Sequence, residues 1–123
     1  MLGSKYMTRN RIKSFKFAFS GLLHTFSTQT NFQIQVFVGL IVLLGAWYFH
    51  FSRFEWLVLL ITVALVLAAE LLNTVVEVVV DLAVKERLLP DAKIAKDVSA
   101  AAVLLMSVFS IIVGLILFLP HLG

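Results

Sequence analysis

Glu70, Asn73, Glu77 and Asp81 carry oxygen or amide groups that could hold a cation, take a proton or orient a substrate. On an α-helix, at ~100° per residue, they fall within a sector of roughly 80° and spread over roughly 16 Å of axis. They lie in an apolar run, where a central carboxylate costs ~2.5–3.5 kcal/mol on insertion scales. An aligned acidic row is kept there where its members pair, bind an ion or do chemistry. Further on, Ala92-Lys93-Ile94-Ala95-Lys96-Asp97 supplies ammonium groups. Lys93, Lys96 and Asp97 are three and four apart and share one side of a helix. Carboxylates that can hold a divalent cation, beside an ammonium that can meet a phosphate, are the equipment of phosphoryl transfer. The plainer readings are a solvated Asp81 at headgroup level and lysines that only snorkel to the interface. They account for single residues and not for the aligned set.

The elements that must carry these groups are membrane helices. The chain has 123 residues, of which 61% are hydrophobic and 14% charged, with a mean hydropathy of +1.02. Soluble domains run ~45–50% apolar and ~25% charged, and a chain this small cannot bury such a surface alone. A water-soluble monomer and a disordered chain are both excluded. Apolar runs at 34–51, 56–82 and 98–119 are each long enough for a transmembrane helix, which needs ~20 apolar residues. Ser52-Arg53-Phe54-Glu55 has the form of a capping box opening the second span, and Pro90-Asp91 can open the third helix with Asp91 as N-cap. Trp47, Tyr48 and Trp56 suit an aromatic belt. Residues 5–30 are basic, with Ile12, Phe15, Phe19, Leu22, Leu23 and Phe26 along one side, as in an amphipathic helix lying on the bilayer. The expected fold is therefore a single all-α membrane domain over 1–123: an N-terminal amphipathic surface helix plus three transmembrane helices.

Every Lys and Arg except Arg53 lies before the first span or between the second and third. Positive loops favour the cytoplasm, so the N-terminus and the 85–97 stretch are expected to be cytoplasmic, in a multi-pass protein of the cell inner (plasma) membrane. The acidic row then occupies the cytoplasmic half of the second span. Net charge +3 is read as membrane attraction rather than nucleic-acid binding. There is no cysteine, hence no thiolate site. No glycine-rich phosphate loop and no protein-kinase signature occurs.

The string Glu70-Leu-Leu-Asn73-Thr-Val-Val-Glu77-Val-Val-Val-Asp81, followed by Ala92-Lys-Ile-Ala-Lys96-Asp97, resembles the small prokaryotic diacylglycerol kinase and undecaprenol kinase family over nearly the whole chain. The A-K-I-A-K-D form looks more like the undecaprenol kinase branch. The resemblance implies a homotrimeric bundle with active sites shared between neighbouring subunits. It implies transfer of the ATP γ-phosphate, with Mg²⁺, to the hydroxyl of a membrane lipid, undecaprenol or diacylglycerol. By position, Glu70 would be the general base and Asn73 would orient groups beside it. Glu77 would hold the metal. Lys96, Asp97 and Asp81 would contact nucleotide phosphates or order the site, and Glu86 and Arg87 fall near the nucleotide-contacting loop. One departure stands out: the family usually has a second metal-binding Glu before the first span, where this chain has Gln29. An uncharged carbonyl holds Mg²⁺ more weakly than a carboxylate, which leaves open a degenerate, inactive member. The rival readings are a small oligomeric transporter built on an intramembrane Glu, and a non-enzymatic assembly subunit packing through Ala68–Ala69 and Ala100–Ala102. Neither explains why the acidic row runs on to meet lysines.

Overall fold

A computed structural model describes the backbone of residues 4–85, 87 and 89–123, and side chains from residue 10 onward. Its elements are α1 (Ser4–Thr28), α2 (Thr30–Tyr48), α3 (Arg53–Val84) and α4 (Pro90–Leu122). There is no strand among the described residues. α2, α3 and α4 are each long and apolar enough to cross a membrane. The all-α membrane architecture expected from the sequence is the one found.

The spans outrun the apolar runs that announced them. α3 has 32 residues and α4 has 33, about 48 Å each at the helical rise, against a hydrocarbon layer of ~30 Å. Both helices continue past the bilayer core as amphipathic turns.

The junctions follow local chemistry. Gln29 interrupts α1 and α2 with an extended backbone (φ −108°, ψ 108°), and its side chain makes no capping hydrogen bond. α2 ends in a left-handed residue, His50, at φ 54°. The Phe51 amide donates to the Ala46 carbonyl and the His50 amide to the Trp47 carbonyl, the paired bonds of a Schellman ending. A capping box opens α3 as expected: the Glu55 amide donates to Ser52 Oγ, and the Ser52 amide to Glu55 Oε1. At α4 the expectation fails in detail. The N-cap is Leu89, Pro90 occupies the first turn, and no side chain caps the helix. Proline's fixed φ suits the first helical position, so Asp91 is carried inside the helix, where its charge faces the positive end of the dipole.

α3 and α4 form an antiparallel hairpin, with α2 against α3 and α1 against α2. The buried cluster is Ala46, Phe51, Leu59 and Leu117, with Trp56, Val113 and Phe118 packed around it. It sits at the Ser52 end of the bundle. Gly45 makes room there: a Cβ on it would meet the Phe118 ring at 3.2 Å. Trp47 and Tyr48 are exposed and free to meet an interface. So are residues 10–24 of α1 on every side, Ile12, Phe15 and Phe19 included.

Candidate active site

One stripe of α3 explains where the acidic row goes. Leu59, Thr62, Val66 and Glu70 are its buried residues, and the same helical face continues through Asn73, Glu77 and Asp81. The stripe is a packing seam whose composition changes from apolar to polar halfway along. α4 answers with Leu117, Val113, Ser110, Met106, Val103, Ser99 and Lys96, which are buried or half-buried in the same rhythm. Of the alanines that could pack helices, Ala69 is half-buried, whereas Ala68 and the alanines at 100–102 are exposed.

Burial fades along the row. Glu70 is 5% exposed, Asn73 and Glu77 are half-buried, and Asp81 is exposed. If the hydrocarbon begins near Trp56, ~30 Å of rise ends near Val76. Glu77 then lies at the boundary and Glu70 about 9 Å inside it. Among the described residues no side-chain hydrogen bond engages the Glu70 carboxylate, and Thr74 Oγ1 donates to the Glu70 backbone carbonyl at 3.0 Å.

Below Glu70 the side chains connect. Ser99 Oγ on α4 donates to Asn73 Oδ1 at 2.8 Å. Asn73 Nδ2 lies 3.4 Å from Glu77 Oε1, a long contact. At the open end Lys96 Nζ meets Asp81 Oδ1 at 2.6 Å across the two helices. Lys93 Nζ meets Asp97 Oδ2 at 2.6 Å within α4. The side shared by Lys93, Lys96 and Asp97 is therefore divided: Lys96 turns to the acidic row, and Lys93 pairs with Asp97 in the open.

Asp81, Arg87, Lys93, Lys96 and Asp97 line a cavity of about 1120 Å³ between the end of α3 and the start of α4. Of the residues expected to touch a nucleotide, Asp81, Lys96, Asp97 and Arg87 share this mouth, and Glu86 lies outside the described residues. Gln29 stands at the α1–α2 junction with its side chain uncommitted to a cap. No group of three His, Asp or Glu side chains that could hold a metal occurs among the described residues.

The sequence reading missed Ser99, whose spacing of three from Lys96 put it on the packing side of α4. It also missed the contact at the other end of the seam, where His121 Nε2 lies 2.7 Å from Glu55 Oε2 and the imidazole stacks on Phe51 at 4.9 Å.

The sequence profile of the prokaryotic diacylglycerol kinase family matches residues 16–118. A Synechocystis protein named diacylglycerol kinase is 44% identical over 113 residues, 92% of this chain and 65% of the relative. A Bacillus subtilis protein named undecaprenol kinase is 38% identical over 110 residues, 89% of each chain. A Haemophilus influenzae diacylglycerol kinase is 31% identical over 107 residues, 87% of this chain and 91% of the relative. The chain thus spans 65% of the length of the Synechocystis protein and most of the length of the other two. The match takes in α2 and α3 whole, the second half of α1 and most of α4, with every residue of the acidic row: the chain belongs to the prokaryotic diacylglycerol kinase family.

Proposed function

We propose that this chain is an ATP- and Mg²⁺-dependent lipid kinase that phosphorylates the hydroxyl of a membrane lipid alcohol at the cytoplasmic face. The observation that carries the reading is the seam itself. A buried carboxylate at Glu70 leads through Asn73 and Glu77 to the Asp81–Lys96 pair at an open mouth where charged side chains stand among apolar ones. A lipid hydroxyl reaches the buried end from the bilayer, and a nucleotide reaches the mouth from water.

The donor set suits a hard cation. Glu77 offers a half-buried carboxylate whose contact among the described residues is the long one to Asn73. Mg²⁺ keeps several waters and is commonly held by one or two carboxylates together with substrate phosphates. Glu77, with the Gln29 carbonyl as a weak second donor, would hold it. Held there, a divalent cation would supply positive charge against that building on the transferred group.

The chain's own residues do the rest. Glu70 accepts the hydroxyl proton as the lipid oxygen bonds to the γ-phosphorus and the bond from that phosphorus to the bridging oxygen of ADP breaks. The proton then passes from Glu70 to a phosphate oxygen of the departing product. Lys96, already charge-paired with Asp81, exchanges part of that pairing for a phosphate oxygen. Arg87 and Asp97 order the nucleotide at the mouth. Burial excludes water from Glu70, which protects the γ-phosphate from hydrolysis. Much of the rate comes from holding two substrates from different phases in line. Assembly as a homotrimer, with sites shared between neighbours, would cover the half-buried part of the row.

The test is transfer of label from ATP to lipid in mixed micelles, with undecaprenol and diacylglycerol in parallel at fixed ATP. The parent protein phosphorylates at least one of the two, and Glu70→Gln, an isostere that cannot take the proton, phosphorylates neither while remaining folded. Retained turnover in that variant would remove Glu70 from the base role, and loss of all transfer by the parent would remove the kinase reading.

A further inference from the structure

We infer that Ser99 is a positioning residue of the phosphotransfer proposed above: its hydroxyl fixes which way the Asn73 amide faces, and so which group Glu77 meets. The role rests on the kinase reading, but the contact stands on geometry alone.

A carboxylate only accepts hydrogen bonds, and a side-chain amide has an acceptor on one arm and a donor on the other. Glu77 is therefore served only when Asn73 turns its NH₂ toward it. That leaves Asn73 Oδ1 pointing at α4, where it needs a donor. Ser99 Oγ supplies one at 2.8 Å, and Asn73 Nδ2 faces Glu77 Oε1 at 3.4 Å. With the hydroxyl removed, Oδ1 loses its partner in a half-buried setting, and the amide is free to turn. An amide turned by 180° would present oxygen to oxygen at Glu77.

How the other hydroxyls behave makes Ser99 unusual. Ser14, Thr25, Ser27, Thr62 and Thr74 each return the hydroxyl to the carbonyl four residues back in their own helix. Ser99 forgoes that local bond and reaches across to α3. It sits three residues after Lys96 on the packing face of α4, so docking of the two helices sets the hydroxyl opposite Asn73. The same docking that brings Lys96 to Asp81 thus presets the amide beside Glu77.

The chain has only three asparagines, Asn10, Asn31 and Asn73, so selective ¹⁵N labelling of Asn gives a side-chain spectrum with few signals. The experiment compares the parent, S99A and S99T by that spectrum and by the Mg²⁺ concentration giving half-maximal lipid phosphorylation. Loss of one net hydrogen bond in S99A is expected to raise that concentration by about threefold to tenfold, to leave the lipid KM unchanged and to move the Asn73 NH₂ signals. S99T, which keeps a hydroxyl, stays within about twofold of the parent. An S99A with parental Mg²⁺ dependence and unmoved Asn73 signals overturns the proposal. So does an S99A that loses only thermal stability, which is what simple packing predicts, or an S99T as impaired as S99A. A parent that phosphorylates no lipid overturns the kinase reading and takes Ser99's role in it away, whereas an active parent matched by S99A overturns Ser99 alone.

Discussion

Glu70 and Glu77 stand seven residues apart, about 10 Å along α3, too far to serve one atom. That spacing fits a division of labour. A hydroxyl hydrogen-bonded to one carboxylate, a phosphoryl group in line beyond it and a cation on the other carboxylate together span roughly the same distance. Gln29 is the weak member of the proposed set because its carbonyl lacks charge. Gln29→Glu is expected to lower the Mg²⁺ concentration needed for half-maximal turnover by several-fold, measured by titrating Mg²⁺ at saturating ATP and lipid. An unchanged constant would place residue 29 away from the metal. The acidic row was legible in the sequence because helical periodicity alone aligns Glu70, Asn73, Glu77 and Asp81. Ser99 was not legible as a partner of Asn73, because nothing within α4 states which helix its packing face will meet.

The unit that makes the site is the α3–α4 hairpin, joined by polar contacts near both ends. At the open mouth the link is Lys96 to Asp81; at the Ser52 end it is His121 to Glu55, each about a quarter exposed, with the imidazole against the Phe51 and Phe49 rings. Glu55 also closes the capping box of α3, so one carboxylate ties the start of that helix both to its own cap and to the end of α4. Glu55→Gln keeps the cap geometry but loses the charge, whereas Glu55→Ala loses both. The thermal midpoint in detergent should therefore fall in the order parent, Glu55→Gln, Glu55→Ala, and an alanine variant as stable as the parent would show the latch to be idle. The turn before it makes a second prediction. His50 holds a left-handed backbone, which costs a residue bearing a Cβ roughly 1–2 kcal/mol and costs a β-branched one more. His50→Gly should raise the midpoint and His50→Val should lower it, and an equal midpoint for both would mean the turn relaxes. The capping box could be read from Ser52 and Glu55 because its partners are three residues apart. The Schellman ending could not, since histidine occupies the place where glycine would have signalled it. At α4 the Pro90 preference for the first helical position outweighed the capping tendency of Asp91, which moved the N-cap two residues earlier, to Leu89.

At the scale of the whole molecule, packing and polarity run in opposite directions along the bundle. The buried apolar cluster lies at the Ser52 end. The other end holds the acidic row, the Lys96–Asp81 and Lys93–Asp97 pairs and the basic residues of α1. Such a molecule is stable in a bilayer only with its polar end at a surface, and charge decides which surface. Lys13, Lys16, Lys85, Arg87, Lys93 and Lys96 gather at or near that end, against Arg53 alone at the other. Positive residues close to span ends are retained in the cytoplasm, where ATP is also found, so topology and proposed chemistry require the same orientation. The chain lacks cysteine, which makes this directly measurable with single substitutions outside the seam. Arg53→Cys should react with a membrane-impermeant maleimide on intact cells, while Ser14→Cys and Asp91→Cys react only after the membrane is opened. Arg53→Cys leaves the basic segments intact, so the substitution does not itself weaken the charge bias. If Asp91→Cys were labelled from outside, the acidic row would open away from the nucleotide pool. A kinase drawing on cytoplasmic ATP could not then be built on this seam, however well its residues match.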